Sequence, residues 1–232
     1  MRIILATIVV MLALAGKFAT AAEPVLTITG TGTVSAPPDI ATVTTAVEVN
    51  GDTAVEALAA NSAAMARVIE TLRAAGVAER DIQTSGLSVQ PVYGDSKLRS
   101  YGSDTPEIDH YRVYNGVTVI VRDLAGLGGA LDAVVKSGAN RINGIGFGFA
   151  EPGPLRNEAR GKAVADARAT AQIYAEATGV RLGRILSISE FGGGPPMPMA
   201  AMARAESAVP IATGESGISA SVQIVWEIVN PE

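Results

Sequence analysis

Several stretches of the chain alternate apolar and polar residues with a period of two, which is typical of strands with one buried face. In residues 40–50, for example, Val43, Val47 and Val49 share one face while Thr42, Thr44 and Glu48 occupy the other. Glycines, prolines and aspartates interrupt the pattern, and Gly30-Thr31-Gly32 is predicted to end the first strand. The predicted strands are residues 25–31, 40–50, 81–92, 111–122, 142–150, 185–188 and 218–229.

Three other stretches place apolar residues at helical spacing. The first begins with Thr53-x-x-Glu56, a capping box, and continues with an apolar stripe of Val55, Leu58, Met65, Ile69 and Leu72. The second follows Asp123 and ends at Gly138. The third opens with Pro154 at a position where its missing N–H costs nothing, and repeats alanine every four residues at Ala159, Ala163, Ala167 and Ala171.

The elements follow one another in the order β-β-α-β-β-α-β-α-β-β. Helices separate some of the strands, while others are close enough in the chain to pair as hairpins. This order predicts an α+β fold with a mixed or antiparallel sheet covered by helices, and it argues against a doubly wound parallel sheet.

The strand at residues 142–150 has one bulky and one bare face. Ile145, Phe147 and Phe149 alternate with Gly144, Gly146 and Gly148. The glycines do not match the dinucleotide fingerprint, which needs G-x-G-x-x-G opening into a helix. We therefore interpret the bare face as a place where another backbone packs closely.

Two segments, residues 91–110 and 192–216, lack regular spacing and are rich in glycine, serine and proline. Irregular stretches of this length inside a domain are usually functional or disordered. Tyrosine and methionine are enriched at protein interfaces. The sequence thus predicts oligomer contacts at residues in or beside these segments: Tyr93, Tyr101, Tyr111, Tyr114, Met197, Met199 and Met202.

The N-terminus has the order of a secretory signal peptide. A positive start at Arg2 precedes an apolar run from Ile3 to Ala15 and the small residues of 19–22. The apolar run is shorter than the roughly 20 residues that a transmembrane anchor needs. The prediction is cleavage after Ala21 or Ala22, periplasmic localisation without stable membrane insertion, and a single domain over residues 23–232.

The charge and the cysteine content of the chain argue against several classes of function. The chain has 18 basic and 23 acidic residues. Removing residues 1–22 takes away Arg2 and Lys17, which leaves 16 basic residues and a net charge of −7. An acidic domain without a basic run is a poor ligand for nucleic acid or anionic lipid. No cysteine is present, which excludes thiolate catalysis and a lipid anchor on cysteine.

Residues suited to catalysis are few. His110 is the only histidine of the chain and is predicted to lie in a loop, so a zinc site rich in histidine is excluded. Asp166 with Arg160 and Arg168 is interpreted as ion pairs on a helix surface, and Asp39 as a turn residue. No catalytic, cofactor-binding or metal-binding residue is predicted.

One alternative hypothesis is that the methionines bind a metal ion. Thioethers suit Cu(I), so Met197, Met199 and Met202 could bind copper, although methionines also form adaptable contact surfaces. The alternative hypotheses are therefore a protein that binds copper or a small molecule, or a hydrolase.

A set of short motifs follows a definite order over residues 25–228: Gly30-Thr31-Gly32, Pro38-Asp39-Ile40-Ala41, Asp81-Ile82 with Thr84, Arg122-Asp123-Leu124, Gly138-Ala139-Asn140 before Ile142-Asn143-Gly144-Ile145, Glu158-Ala159-Arg160, Ala163-Val164-x-Asp166-Ala167-Arg168, Gly179-x-x-Leu182-Gly183, and Pro210-Ile211 with Gly214-Glu215. With these motifs in this order, the chain resembles the SIMPL-domain family of exported bacterial proteins. One departure is Thr31, where many relatives carry a charged residue between the two glycines.

The resemblance implies a periplasmic or surface antigen that forms homo-oligomers and is in some cases linked to oxidative-stress tolerance. It transfers no catalytic residue and no cofactor. The function expected from sequence is therefore a periplasmic, non-enzymatic, self-assembling protein with a binding or scaffold role.

Overall fold

A computed structural model describes residues 23–94, 107–192, 197–199 and 211–230. The described helices are α1 (Ala54–Ala74), α2 (Leu127–Ser137) and α3 (Gly153–Thr178), and a 3₁₀ turn spans Glu79–Asp81. The described strands are β1 (Val25–Ala36), β2 (Ile40–Gly51), β3 (Ile82–Tyr93), β4 (Ile108–Val121), β5 (Arg141–Gly148), β6 (Arg181–Phe191), β7 (Met197–Met199) and β8 (Glu215–Val229).

The strands form two separate sheets. Sheet 1 has the order β1-β8-β6, with the short β7 also paired to β8, and sheet 2 has the order β3-β4-β2-β5. Every pair in both sheets is antiparallel. The predicted α+β class and element order are confirmed, with β7 as an addition inside the second irregular segment. The prediction of a single domain for residues 23–232 stays a prediction.

Both irregular segments are shorter than predicted. Strand β3 continues through Pro91 to Tyr93, and β4 already begins at Ile108. In the second segment, β8 begins at Glu215. The pairing partner explains the first error, because residues 91–93 lie opposite residues 108–111 in the β3–β4 ladder and complete their hydrogen bonds there.

Helices α1 and α2 cover the inner face of sheet 2. The capping box begins α1 as predicted, since the Glu56 N–H donates to Thr53 Oγ1 over 3.2 Å. The predicted apolar stripe is only half right: Val55 is 78% exposed and Leu58 is also exposed. The buried face instead includes alanines and one asparagine, which let the helix lie close to the sheet: Ala57, Asn61, Ala64, Met65, Val68 and Leu72.

Helix α3 covers sheet 1 through its alanine stripe. Ala159, Ala163, Ala167 and Ala171 are fully buried, as the four-residue spacing predicts. The sheet meets this stripe with glycine, because a Cβ on Gly30 would lie 2.7 Å from Ala167 Cβ and would also clash with Ala163 O. The prediction that Gly30-Thr31-Gly32 ends the first strand is wrong. These residues lie in the middle of β1, where glycine allows the helix backbone to approach.

The glycine face of β5 behaves in the opposite way. An added Cβ on Gly144 or Gly146 would meet nothing within 4 Å. The predicted close packing on this face is therefore wrong: β5 is an edge strand and its glycines face solvent, while Ile145 and Phe147 pack against the core of sheet 2. The alternation of bulky residues and glycines was interpreted correctly, but the strand whose glycines meet another backbone is β1.

Candidate functional site

The predicted contact tyrosines lie in three different environments. Tyr93 at the end of β3 is exposed. Tyr111 lies opposite Gly51 on β2 and is partly buried. Tyr114 lies on the outer face of sheet 2, where its hydroxyl accepts a 2.9 Å hydrogen bond from Asn143 Nδ2 and its ring lies over Gly116. Of the three, Tyr93 presents its ring to a potential partner.

The remaining predicted contacts are only partly described. Tyr101 and Met202 lie outside the described residues. Met197 and Met199 belong to β7, whose backbone pairs with residues 215–217 of β8. The interface prediction for these four residues stays a prediction.

His110 lies in strand β4 and not in a loop. Its Nδ1 is 2.8 Å from Asp109 Oδ2, and its Nε2 is buried without a hydrogen-bond partner among the described residues. The ladder explains the position, since His110 pairs with Val92 on β3. A histidine beside one aspartate could exchange a proton, but none of the described contacts joins it to a serine or threonine hydroxyl that it could activate.

A charged cluster occupies the outer face of sheet 2. Glu48 on β2 binds Arg141 over 2.8 Å and lies 3.7 Å from Arg112 on β4. The Asn140 side chain forms two hydrogen bonds with the backbone of Glu48: its Oδ1 accepts from the Glu48 N–H, and its Nδ2 donates to the Glu48 carbonyl oxygen. The contacts of Glu48 with Arg141 and Asn140 tie β5 and the residue before it to β2, so Glu48 serves to hold the sheet together.

A second ion pair lies at the end of α1 and was missed from the sequence. Asp81 is nearly buried, and Arg122 donates to both of its carboxylate oxygens over 2.9 Å. This bidentate hydrogen bonding holds the pKa of Asp81 below its usual value, and it raises the pKa of Arg122. The pair joins the 3₁₀ turn before β3 to the end of β4. The only signal in the sequence was the presence of both residues in family motifs.

Arg160 and Asp166 of α3 do not pair with each other, although Glu158 and Lys162 of the same helix do, over 3.1 Å. Arg160 binds Glu190 of β6 over 2.9 Å, while Asp166 accepts a 2.8 Å hydrogen bond from the Thr31 N–H. The predicted ion pairs within the helix are therefore wrong for Arg160 and Asp166, because sheet 1 supplies nearer partners.

Asp39 lies at the bend between β1 and β2. Its Oδ1 accepts a 2.7 Å hydrogen bond from the Ala150 N–H, which joins this bend to the end of β5.

The described residues contain no group of three or more histidine, cysteine, aspartate or glutamate side chains that could hold a metal ion. Among the same residues, none of the helices combines the length and apolarity needed to cross a bilayer.

The largest unexplained features of the surface are apolar side chains on two edge strands. In the described part of the chain, β3 pairs only with β4 and β6 pairs only with β8. Leu87 on β3 is 58% exposed and Ile188 on β6 is 59% exposed. Their neighbours of the same kind are Val89, Tyr93 and Ile108 beside the first edge, and Ile185, Leu186 and Phe191 on the second. The period-two pattern predicted these strands but not which of them would lie at an edge.

The architecture defines an α+β protein built from two antiparallel sheets, each with its own helical cover. A family model described as "Protein of unknown function (DUF541)", the SIMPL family, matches residues 26–226. The chain belongs to the SIMPL family.

Relatives of known name extend the comparison. The chain is 39% identical over 214 residues to the 26 kDa periplasmic immunogenic protein of Brucella melitensis. This alignment covers 88% of this chain and 84% of the relative. The chain is 30% identical over 201 residues to the uncharacterized protein YggE of Escherichia coli K12, covering 86% of this chain and 79% of the relative. Neither name describes an enzyme.

Proposed function

We propose that this protein is exported to the periplasm and acts there as a non-catalytic protein that assembles with copies of itself. The signal-peptide pattern of residues 1–22 and the periplasmic relative from Brucella support the location. Glu48 and Asp81 are held in ion pairs that join different elements, and His110 contacts Asp109, the residue before it in the chain. This arrangement favours binding or assembly over catalysis.

The observation that carries the proposal is the open edge of β3. An unpaired strand edge presents free N–H and C=O groups that can pair with another chain. Leu87, Val89 and Tyr93 add exposed apolar surface to this edge, which we call the β3 edge. Two copies related by a two-fold axis would pair the two β3 strands antiparallel and extend sheet 2 across both subunits.

The geometry of sheet 2 suits such pairing. The β3–β4 ladder runs from Ile82 to Tyr93 with irregularities near Gly86 and between Val92 and Tyr93, so the strand offers a regular stretch of backbone between these two points. Val89 lies opposite Val113, whose side chain is fully buried, and so it points to the face that α1 covers. Helix α1 does not reach far enough to cover Leu87 and Val89, which a partner subunit would bury.

The test is the particle mass of the purified protein by size exclusion with light scattering. The variant Leu87→Lys/Val89→Lys places two charges on the β3 edge and should reduce the mass to that of a monomer, with circular dichroism unchanged. Ile173→Lys is the matched control, because Ile173 is similarly exposed but lies on α3 in the other half of the molecule. Tyr93→Ser should weaken the assembly without abolishing it. A monomeric wild type, or an unchanged mass for the double variant, would contradict the proposal.

The resemblance to exported antigens suggests oxidative-stress tolerance as the physiological setting. The chain has no cysteine, so any such role would act through binding or shielding and not through thiol chemistry. A deletion strain should lose survival under peroxide and regain it with the wild-type gene. Failure of Leu87→Lys/Val89→Lys to restore survival, at equal protein level, would connect the role to assembly.

A further inference from the structure

Helix α3 leaves one side of sheet 1 open. It packs closely on β1 and β8 through its alanine stripe, while the third strand, β6, contacts it at fewer points, among them Leu182 and the Arg160–Glu190 ion pair. Two cavities lie between α3 and β6, with β8 as their floor. We call them together the α3–β6 trench.

One end of the trench is the larger. A cavity of about 450 Å³ lies between Arg168 and Gln172 of α3 and Leu182 and Ile185 of β6, with Trp226 of β8 beneath it. Trp226 is almost fully buried and Ile185 is exposed. The wall and floor are thus apolar, and the polar side chains stand on the helix side.

The other end is narrower and ends at an ion pair. A cavity of about 200 Å³ is lined by Val164 of α3, Ile188 of β6 and Val222 of β8. Arg160 and Glu190 close it with their 2.9 Å contact. The two cavities together fall within the range of volumes that small-molecule sites occupy.

Among the described residues that line the larger cavity, Arg168 is the one charged residue. Arg168 makes no hydrogen bond or ion pair with any residue that the structure describes. Its helix neighbours four residues away are Val164 and Gln172, and the Gln172 amide is engaged with Glu176 over 3.2 Å. The trench therefore combines an apolar floor with one available cation at its wider end.

We propose that the α3–β6 trench binds a long-chain alkyl carboxylate, with the alkyl chain along the floor and the carboxylate on Arg168. From Arg160 to Gln172 the helix wall is about 18 Å long at the rise of an α-helix, which suits an extended chain. Arg168 pairs with the carboxylate by charge-assisted hydrogen bonds. The ligand covers Ile185 and Ile188, whose exposure the fold otherwise leaves unexplained.

A polypeptide is a poorer occupant of the same space. Its backbone N–H and C=O groups would lie against the side chains of Ile185, Ile188 and Val222, which offer no hydrogen-bond partner, and burying them unpaired is costly. A strand that paired with the free edge of β6 would lie beside the trench and not in it. An alkyl chain carries no such polar groups.

Trp226 makes the site directly observable, because it is the only tryptophan of the chain and lies in the trench floor. The probe is cis-parinaric acid, a fluorescent long-chain carboxylate, added to delipidated protein purified from cells that express the full chain. Saturable energy transfer from Trp226 to the probe is expected, and palmitate should displace the probe while palmityl alcohol should do so at least tenfold less well.

Two variants test the two parts of the trench. Arg168→Gln should weaken binding of the probe by about tenfold and should remove the preference for palmitate over the alcohol. Ile185→Glu should abolish binding by placing a negative charge against the alkyl chain. Arg181→Gln is the matched control, because Arg181 lies on β6 like Ile185 but points away from α3. The affinity of this variant for the probe should equal that of the wild type. Circular dichroism and thermal melting check that each variant is folded.

Three results would overturn the proposal: no saturable energy transfer, transfer that neither Arg168→Gln nor Ile185→Glu reduces, or equal displacement by acid and alcohol. A second copy of the protein could also be cross-linked at β6. If this copy excluded the probe, the result would overturn the proposal and would identify a protein as the occupant of the trench. The site does not depend on the β3 edge, and Leu87→Lys/Val89→Lys should bind the probe like the wild type.

Discussion

The two sheets of this protein pack against their helices in opposite ways. In sheet 1, α3 approaches so closely that the contact consists of alanine against glycine, with Gly30 and Gly32 facing the stripe from Ala159 to Ala171. In sheet 2, α1 and α2 stand on a layer of branched side chains that includes Val43, Val47, Val117 and Val119. One interface is determined by the absence of side chains and the other by their bulk.

Among the described residues, buried polar side chains are more numerous in the sheet 2 half than in sheet 1, where Ser216 is buried. Asn61 of α1 is fully buried and donates to the carbonyl oxygens of Val47 and Val113 over 2.8 and 3.2 Å. Asp81 also belongs to the sheet 2 half. The hydrogen bonds that join α3 to sheet 1, such as that from the Thr31 N–H to Asp166, are exposed instead. Sheet 2 thus positions its helix with packing and buried hydrogen bonds, whereas sheet 1 combines steric fit with hydrogen bonds at the surface.

The helical cover differs as well, and this difference bears on function. Two helices pack over sheet 2, while α3 is the one described helix that packs on sheet 1. A single helix cannot cover three strands, so sheet 1 keeps an apolar trench beside β6. The comparison teaches that the same α+β plan leaves a strand edge available on one sheet and a ligand-sized space on the other.

The largest effect is expected where backbone meets backbone. In Gly32→Val, the new Cβ would lie 2.5 Å from Ala163 N and 2.7 Å from Lys162 Cβ, and would clash with Ala159 O. Helix α3 would have to move away from sheet 1, so the free energy of unfolding should fall by more than about 3 kcal/mol. Denaturant unfolding measures this. Thr29→Val, on the exposed face of the same strand, is the control, and equal losses for both variants would refute the close-contact account.

An intermediate effect is expected for the ion pair of sheet 2. The pKa of Asp81 is lower in the folded protein than its usual value of about 3.8, so the carboxylate stabilises the fold fully above that pH. This contribution is lost as the pH falls through the lower, folded-state pKa. Asp81→Asn should therefore lower the melting temperature at pH 7, and the difference from wild type should shrink below pH 4.

Thermal melts between pH 2 and pH 7 test this expectation. Glu79→Gln serves as the control, because Glu79 forms an exposed pair with Arg73 that contributes little. A difference between Asp81→Asn and wild type that stays constant down to pH 2 would show that the charge of Asp81 is not the cause.

The smallest effect is expected on the glycine face of β5. Gly146→Val meets open space, and valine favours strands, so the free energy of unfolding should change by no more than about 0.5 kcal/mol. Measured beside Gly32→Val under the same conditions, it separates a glycine needed for contact from one that is not. A loss as large as that of Gly32→Val would mean that the β5 face is covered in solution.

Much of the fold could be predicted from local pattern. The period-two alternation located the strands to within a few residues, and the alanine repeat identified the buried face of α3, because burial of one side of a strand or helix leaves a direct periodic trace in the sequence. The candidate site was less accessible. Tyr93 was predicted as an oligomer contact, and the structure shows that it is exposed. The apolar residues of the β3 edge and of the trench were interpreted as ordinary strand positions.

The sequence by itself therefore determined the order of elements, the class of the fold, the family and the faces of most strands. Only the tertiary structure decided that Gly30 and Gly32 meet α3 while Gly146 does not, and that β3 and β6 are edges. Both decisions depend on residues far apart in the chain: the Thr31 N–H bonds Asp166, and β1 pairs with β8. A periodic pattern shows that a strand or helix has a buried or bare face, but the partner that meets that face is set by the packing of distant elements.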